Sequence, residues 1–402
     1  METIVSKRIK LDLEPSDNND GENVQISNNW RIKSILSDEH IEPIKRCFVY
    51  AGIVDDKKFI GKAMSELCQS MPLHGLNFLK RVHQSKLLLC TLNQMLDFLR
   101  ENHEDEIVKK IFMTENDLRT ASDQMTTSLL KLYMTKRGIS LTVVNFLIKK
   151  IEITSVAAQA PLLSWQHSDV NNDWPTKFHP NKDLEKLYNG TWFTEQETIF
   201  HVQIMEMCGL LRTKLKREVC GIAIDPRTKS IVAIGFDEID RHPLMHCAMV
   251  LIDAVARTQK GGAWNEFLVE NDDLAIYTNF NDEFDEYTQS GVSKFIRKLI
   301  TTENPSITFG AERVKTAVEN RQNYTDIDVN GDNLSKYGPY LCTGYDVYLW
   351  REPCLMCSMA LTHSRIRTIF FHETQSTGSL CTLTKLQSVK ALNHHFQVFR
   401  IA

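Results

Sequence analysis

Residues 345–366 read YDVYLWREPCLMCSMALTHSRI: an apolar, aromatic run, a proline, then two cysteines three apart. The stretch 345–349 has the composition of a strand and 354–364 that of a helix. Pro353 can open that helix without wasting an amide donor. Cysteines three apart in a first turn share one face, and the helix dipole at that end favours the thiolate a metal requires. Upstream, HPLMHCAMVLIDAVA (242–256) predicts a helix over 244–257 with His246 in its first turn. His246, Cys354 and Cys357 are therefore the candidate ligands of one zinc ion. Buried, metal-free thiols are the alternative, because a lone CxxC also occurs in redox proteins and by chance. Cys247 projects about 100° away from His246 around the helix, and Cys342 reads as a small buried hydrophobe.

Working outward, 402 residues are enough for two domains plus tails, since single cores stop growing by roughly 250 to 300 residues. The chain is 42% hydrophobic and 24% charged, and no run approaches the roughly 18 apolar residues of a membrane span, so a soluble protein without a membrane partner is expected. Early charges (Glu2, Lys7, Arg8, Lys10) with no apolar run behind them argue against a secretory signal. The ten cysteines are then read as thiols or metal ligands in a reducing compartment.

Residues 1–39 are expected to be a mostly disordered tail, because DLEPSDNNDGENVQISNN (12–29) has almost nothing to bury. Residues 40–153 read as a small α/β domain with strands at 46–53 and 85–92, a helix at 57–70, two helical stretches at 93–112 and 116–136, and a closing strand at 141–153. Pro161, Pro175 and Pro180 break 154–189 into a linker, although the Trp and Phe of WPTKFHP (174–180) are unusual in a passive tether. A second domain, 190–402, offers a long helix from Thr194, a hairpin (220–225 and 231–236), the His246 helix, the PCxxC unit, a strand at 367–371 and a helix at 384–392. Residues 260–336 interrupt it as an acidic insertion, with eight acidic residues and no Lys or Arg between 261 and 293.

The order hairpin, His at a helix start, strand, PCxxC, helix resembles the zinc nucleobase deaminases, whose pattern is HxE followed by PCxxC. In that pattern the residue two after the histidine is a glutamate that moves protons between zinc-bound water and the base; here it is Ala248. Acid–base help of this kind is worth about 100- to 10,000-fold, and a methyl group supplies none of it. Asp253, five residues on along the helix, points elsewhere, and Glu352 precedes Pro353 with its side chain on a face the sequence does not fix. With no catalytic residue, the zinc reads as a structural staple, and the terminal carboxylate of Ala402 is a candidate fourth ligand.

HPLMHCAMVLIDAVA, YLCTGYDVYLWREPCLMCSMALTHSRI (340–366) and LNHHFQVFR (392–400) are similar to the third, non-catalytic subunit family of the eukaryotic tRNA-specific adenosine deaminases, over roughly residues 170–402. The resemblance implies a three-layer cytidine-deaminase-like α/β core, a mixed sheet with helices on both faces, beside a smaller N-terminal α/β domain. It also implies a heterodimer with a catalytic deaminase subunit that converts wobble adenosine to inosine in tRNA, with tRNA bound by the N-terminal extension. Residues 40–153 carry 17 Lys and Arg against 13 Asp and Glu, which suits that role modestly. Clustering singles out Lys57, Lys58, Lys80, Arg81, Lys86, Lys136 and Arg137 as RNA contacts, each with a solvated cation as the plainer reading. Lys7-Arg8-Ile9-Lys10 is a nuclear-import or RNA-contacting arm or a solvated end, and residence in nucleus and cytoplasm is expected. The rival functions are a stand-alone nucleobase deaminase, opposed by Ala248, and an RNA-binding scaffold with a relic zinc fold.

Overall fold

The computed structural model describes residues 30–54, 57–102, 114–259, 262–264, 291–310 and 341–402. The described residues within Met1–Ser37 and Leu187–Ala402 form one compact unit, and those within Asp38–Lys186 form another.

The first unit is built on a six-stranded mixed sheet of β1 (Ile32–Ser34), β6 (Cys220–Asp225), β7 (Ser230–Phe236), β8 (Asp346–Arg351), β9 (Thr368–Glu373) and β10 (Gln397–Ile401) in the order β1-β10-β9-β8-β6-β7. β8, β9 and β10 run parallel; β1, β6 and β7 join antiparallel to their neighbours. β6 and β7 are buried along their whole length, as a strand covered on both faces must be. On one face lie α10 (Cys247–Thr258) and α12 (Leu355–His363), whose Leu251 and Leu361 pack with Val347, Leu349 and Ile369. On the other lie α9 (Glu195–Lys214) and α11 (Lys294–Glu303), whose Met205 and Ile296 pack with Tyr348 and Phe370. The alternation of Val347, Tyr348 and Leu349 between the two cores is the strand period of two. A Cβ on Gly235 would lie 2.7 Å from the Leu251 amide nitrogen, so glycine is what lets α10 settle onto β7. This is the expected three-layer α/β core.

The second unit holds β2 (Arg46–Ile53), β3 (Val82–His83), β4 (Lys86–Thr91) and β5 (Ile151–Ala157) in the antiparallel order β3-β4-β2-β5. Its helices are α1 (Asp38–Ile41), α2 (Lys57–Ser70), α3 (Leu92–Glu101), α4 (Glu115–Thr120), α5 (Asp123–Lys136), α6 (Leu141–Leu147) and α7 (Ser164–Asn171). The chain leaves this unit within α8 (Lys182–Asn189). One core gathers Leu67, Leu89, Leu130 and Val144, and another gathers Val49, Leu88, Val156 and Trp174.

Several expectations differ from what is seen. The tail of 1–39 contributes β1, because Ile32 packs into the core with Trp30 and β1 pairs the outer edge of β10; residues 1–29 lie outside the described ones. The linker of 154–189 instead carries the end of β5 and two helices. Trp174 is 2% exposed and donates its indole N–H to the Lys80 carbonyl at 2.6 Å, so WPTKFHP is packed structure. The strand expected over 141–153 is divided: Val143, Val144 and Leu147 recur at helical spacing and form α6, and the strand starts only at Ile151. Within the acidic insertion, α11 packs against the core and Phe309 and Gly291 pair beside β7; 265–290 and 311–340 lie outside the described residues. Residues 384–392 hold one 3-10 turn, Leu386–Ser388, in place of the expected helix. No helix among the described residues is long and apolar enough to cross a membrane.

Candidate metal centre

His246 is the N-cap residue of α10, in extended conformation, and makes no side-chain cap bond, so its ring is free to turn away from the helix. Cys354 is the N-cap residue of α12, and Cys357 sits in the same helix's first turn. The Glu352–Pro353 corner swings the chain from the end of β8 into α12 and brings the two helix starts together. The ligand atoms of His246, Cys354 and Cys357 all lie within 4.8 Å of one another, the one such group of three or more among the described residues. Cys354 Sγ is 3.8 Å from His246 Nδ1.

The two thiols are driven apart electrostatically. A hydrogen bond from Cys357 is the main influence holding the Cys354 thiol down to about 5, against opposing desolvation; the backbone amides of Cys357 and Met356 and the charge of His246 add to it. Cys357, as the donor in that bond and deeper in the protein, is pushed upward. An imidazole and two thiol sulfurs at two adjacent helix starts make a donor set that fits zinc with three protein ligands.

Ala248, the second residue of α10, is 3% exposed and packs in the core beside the cluster. Neither substitute carboxylate is available. Asp253 is paired with Arg257 Nε at 2.7 Å and accepts the Ala263 amide. Glu352 is 1% exposed and accepts the amides of Leu380, Cys381 and Thr382 at 3.0, 2.7 and 3.0 Å, as well as the Thr382 hydroxyl. A Cβ on Gly378 would lie 2.1 Å from the Glu352 carboxyl carbon, so only glycine passes there. Ala402 is held beside β1, its oxygen accepting the Arg31 amide at 2.7 Å and its amide donating to the Arg31 carbonyl at 3.0 Å.

One carboxylate near the cluster escaped the sequence reading. Asp237, just past β7, accepts the Cys247 amide at 3.1 Å, and burial pushes its carboxyl upward against that bond and the charge of His246. Its oxygens stay outside the 4.8 Å group. The one local signal was an acidic residue at a strand end ten positions before a helix start.

The seven basic residues do not form one group. Arg81 has a structural role: its guanidinium donates to the carbonyls of Leu67, Met71, Leu88 and Leu89, and desolvation lowers its pKa. Lys86 is paired with Glu152 at 2.5 Å, and Lys136 donates to Asn102 at 3.0 Å. Arg137 reaches Glu101 at 4.0 Å and lies over the Tyr133 ring. Lys58 and Lys80 are exposed, and the side chain of Lys57 lies outside the described residues.

A mixed three-layer sheet with histidine and PCxxC at two facing helix starts defines a deaminase-like protein, and Ala248 makes it one without the proton-transferring glutamate. Over most of its length the chain is homologous to proteins named tRNA-specific adenosine deaminase-like protein 3 or TAD3. The mouse protein "Probable inactive tRNA-specific adenosine deaminase-like protein 3" is 28% identical over 385 residues, covering 92% of this chain and 89% of its own. The Saccharomyces cerevisiae "tRNA-specific adenosine deaminase subunit TAD3" is 51% identical over 67 residues, 15% of this chain and 20% of its own. A solved structure from work on A-to-I editing by tRNA:A34 deaminases aligns with 51% of this chain and 98% of its own at 10% identity, with a TM-score of 0.27, too low to carry weight. No family model matches the chain.

Proposed function

We propose that this chain is the non-catalytic subunit of a heterodimeric tRNA adenosine deaminase that converts wobble adenosine to inosine, holding one structural zinc ion through His246, Cys354 and Cys357 and contributing tRNA affinity through Asp38–Lys186. The observation that carries the reading is an assembled His-Cys-Cys cluster beside the buried methyl group of Ala248. The relatives' names, inactive in one and subunit in the other, agree with it. Zinc, when bound, supplies a link between the starts of α10 and α12 that contributes folding free energy. The chain's own residues do the rest: Cys354 presents a thiolate, His246 projects from an uncapped helix start, and Glu352 fixes the turn between β8 and α12. With Ala248 in the glutamate's position and Asp253 and Glu352 committed to other partners, the acid–base contribution of about 100- to 10,000-fold is assigned to the partner.

The test is deamination of a tRNA carrying a wobble adenosine by this chain, by a catalytic deaminase subunit, and by the two together. Product from the pair alone is the expected result. Product from this chain alone would overturn the reading, and full activity of the other subunit alone would leave only the scaffold.

A further inference from the structure

The parallel strands β8, β9 and β10 begin at Asp346, Thr368 and Gln397, and the end of the sheet they begin from is the one away from the His-Cys-Cys cluster. A cavity of about 690 Å³ opens there, between those strand starts, the first turns of α9 and the β6–β7 turn. That volume is in the range of small-ligand sites, roughly 300–1,000 Å³.

Its walls are aromatic, with Trp192, Phe200 and Phe396. Its floor is His201, which is buried, stacked on Phe370 at 4.4 Å, and fixed by a 2.6 Å hydrogen bond between Nδ1 and the Tyr348 hydroxyl. The charges are unequal in availability. Asp346 is spent on Arg367, which meets it through Nε at 2.9 Å and Nη2 at 2.6 Å. Glu197 is spent on the cap of α9, where it accepts from the Thr194 amide and hydroxyl, each at 2.8 Å. Lys229, exposed at the β6–β7 turn, has no ion pair among the described residues, and its ammonium lies 5.2 Å from the Phe200 ring centroid. The lining therefore combines flat apolar walls, the Asp346–Arg367 pair, the hydrogen-bonded but still anionic Glu197 at the helix cap, and the Lys229 cation at the mouth, whose charge helps hold Glu197 ionised.

Aromatic faces for a base and a nearby cation for its phosphate are how proteins hold single nucleotides of unpaired strands. We propose that this cavity is a nucleotide-binding site, with the base against Trp192 and Phe200 and the phosphate at Lys229. An aromatic peptide side chain would find the same walls but brings no phosphate to the ammonium. The inference stands on the cavity and not on the metal centre or on editing.

The test is calorimetric titration of the full chain with adenosine 5′-monophosphate, with adenosine, and with single-stranded hexa-adenylate. Saturable binding of the monophosphate is expected, with adenosine at least tenfold weaker. Lys229→Glu should weaken the monophosphate at least tenfold while zinc content and unfolding midpoint stay unchanged, and Phe200→Leu should weaken monophosphate and adenosine together. Hexa-adenylate binding more tightly than the monophosphate, with the same sensitivity to Lys229→Glu, would identify an RNA strand as the source of the nucleotide. Equal affinity would identify a free one. No saturable binding of either phosphorylated probe, or binding indifferent to both substitutions, would overturn the proposal. So would displacement of the monophosphate by a phenylalanine-containing peptide that binds more tightly. Editing by the pair does not enter any of these outcomes, so the proposed function fails or survives separately.

Discussion

Replacing Glu352 separates two ways a buried carboxylate can stabilise a fold. One oxygen accepts three consecutive amides, from Leu380, Cys381 and Thr382, and the other accepts the Thr382 hydroxyl. In Glu352→Ala the buried Leu380 amide is left without an acceptor, at about 1–3 kcal/mol, while the Cys381 and Thr382 amides, nearer the surface, regain water at smaller cost. Adding the lost charge-assisted bonds brings the total to about 3–5 kcal/mol, a large share of a typical domain stability of about 5–15 kcal/mol. In Glu352→Gln the amide oxygen keeps all three backbone donors, and its NH2 donates to a Thr382 hydroxyl that turns to accept. Only the charge is lost, so about 1–2 kcal/mol is expected. Urea unfolding should rank wild type above Gln above Ala, with the Gln variant nearer wild type. Because the Ser379 amide and hydroxyl both bond the Pro353 carbonyl, and Gly378 pairs with Cys354, Cys354 should also alkylate faster in the Ala variant. Equal stability of Ala and wild type, or a Gln variant as unstable as Ala, would refute the hydrogen-bond account.

Cys357→Ser should lower bound zinc from one equivalent to well under half by elemental analysis, and a full equivalent retained would remove the metal assignment. Ala248→Glu should change deamination by the reconstituted pair less than twofold, because the proposed role of this chain involves no proton transfer; a tenfold gain would mean substrate already reaches this site. His201 is held down to about 4, chiefly by burial, from an ordinary 6.5, so its neutral form is the folded one. Its contribution is full above pH 6.5 and is lost as pH falls toward 4, where unfolding takes up a proton; the shift corresponds to roughly 3 kcal/mol. His201→Gln should flatten the stability profile between those pH values, and an unchanged profile would show that His201 is not the group responsible.

The His-Cys-Cys cluster was legible because its determinants are local. Pro353 precedes a helix whose N-cap is Cys354 and whose first turn holds Cys357, and His246 caps another helix ten residues after β7. Asp237 was not legible in the same way, since its role depends on β7 delivering it to the first amide of α10. Glu352 has its partners nearly thirty residues downstream, and Gly378 matters only once that carboxylate is in place. Arg81 shows the limit of clustering: beside Lys80 it looks like a surface cation, but four carbonyls from 67, 71, 88 and 89 converge on it. The divided segment at 141–153 shows that β-branched residues do not make a strand when Val143, Val144 and Leu147 find one helical face.

Ile32 is paired with Ile401, so the two ends of the described chain meet in one sheet while Asp38–Lys186 forms a unit of its own between them. During synthesis, that intervening unit has all its strands before residue 190 is made and can fold while the rest is still on the ribosome. β1 must wait for β10, a contact spanning 369 positions whose loop closure is costly unless the interior has already folded. The edge closed last is thus the one formed by the first and last strands, and a ribosome stalled before residue 397 would release a chain whose β9 has an open edge.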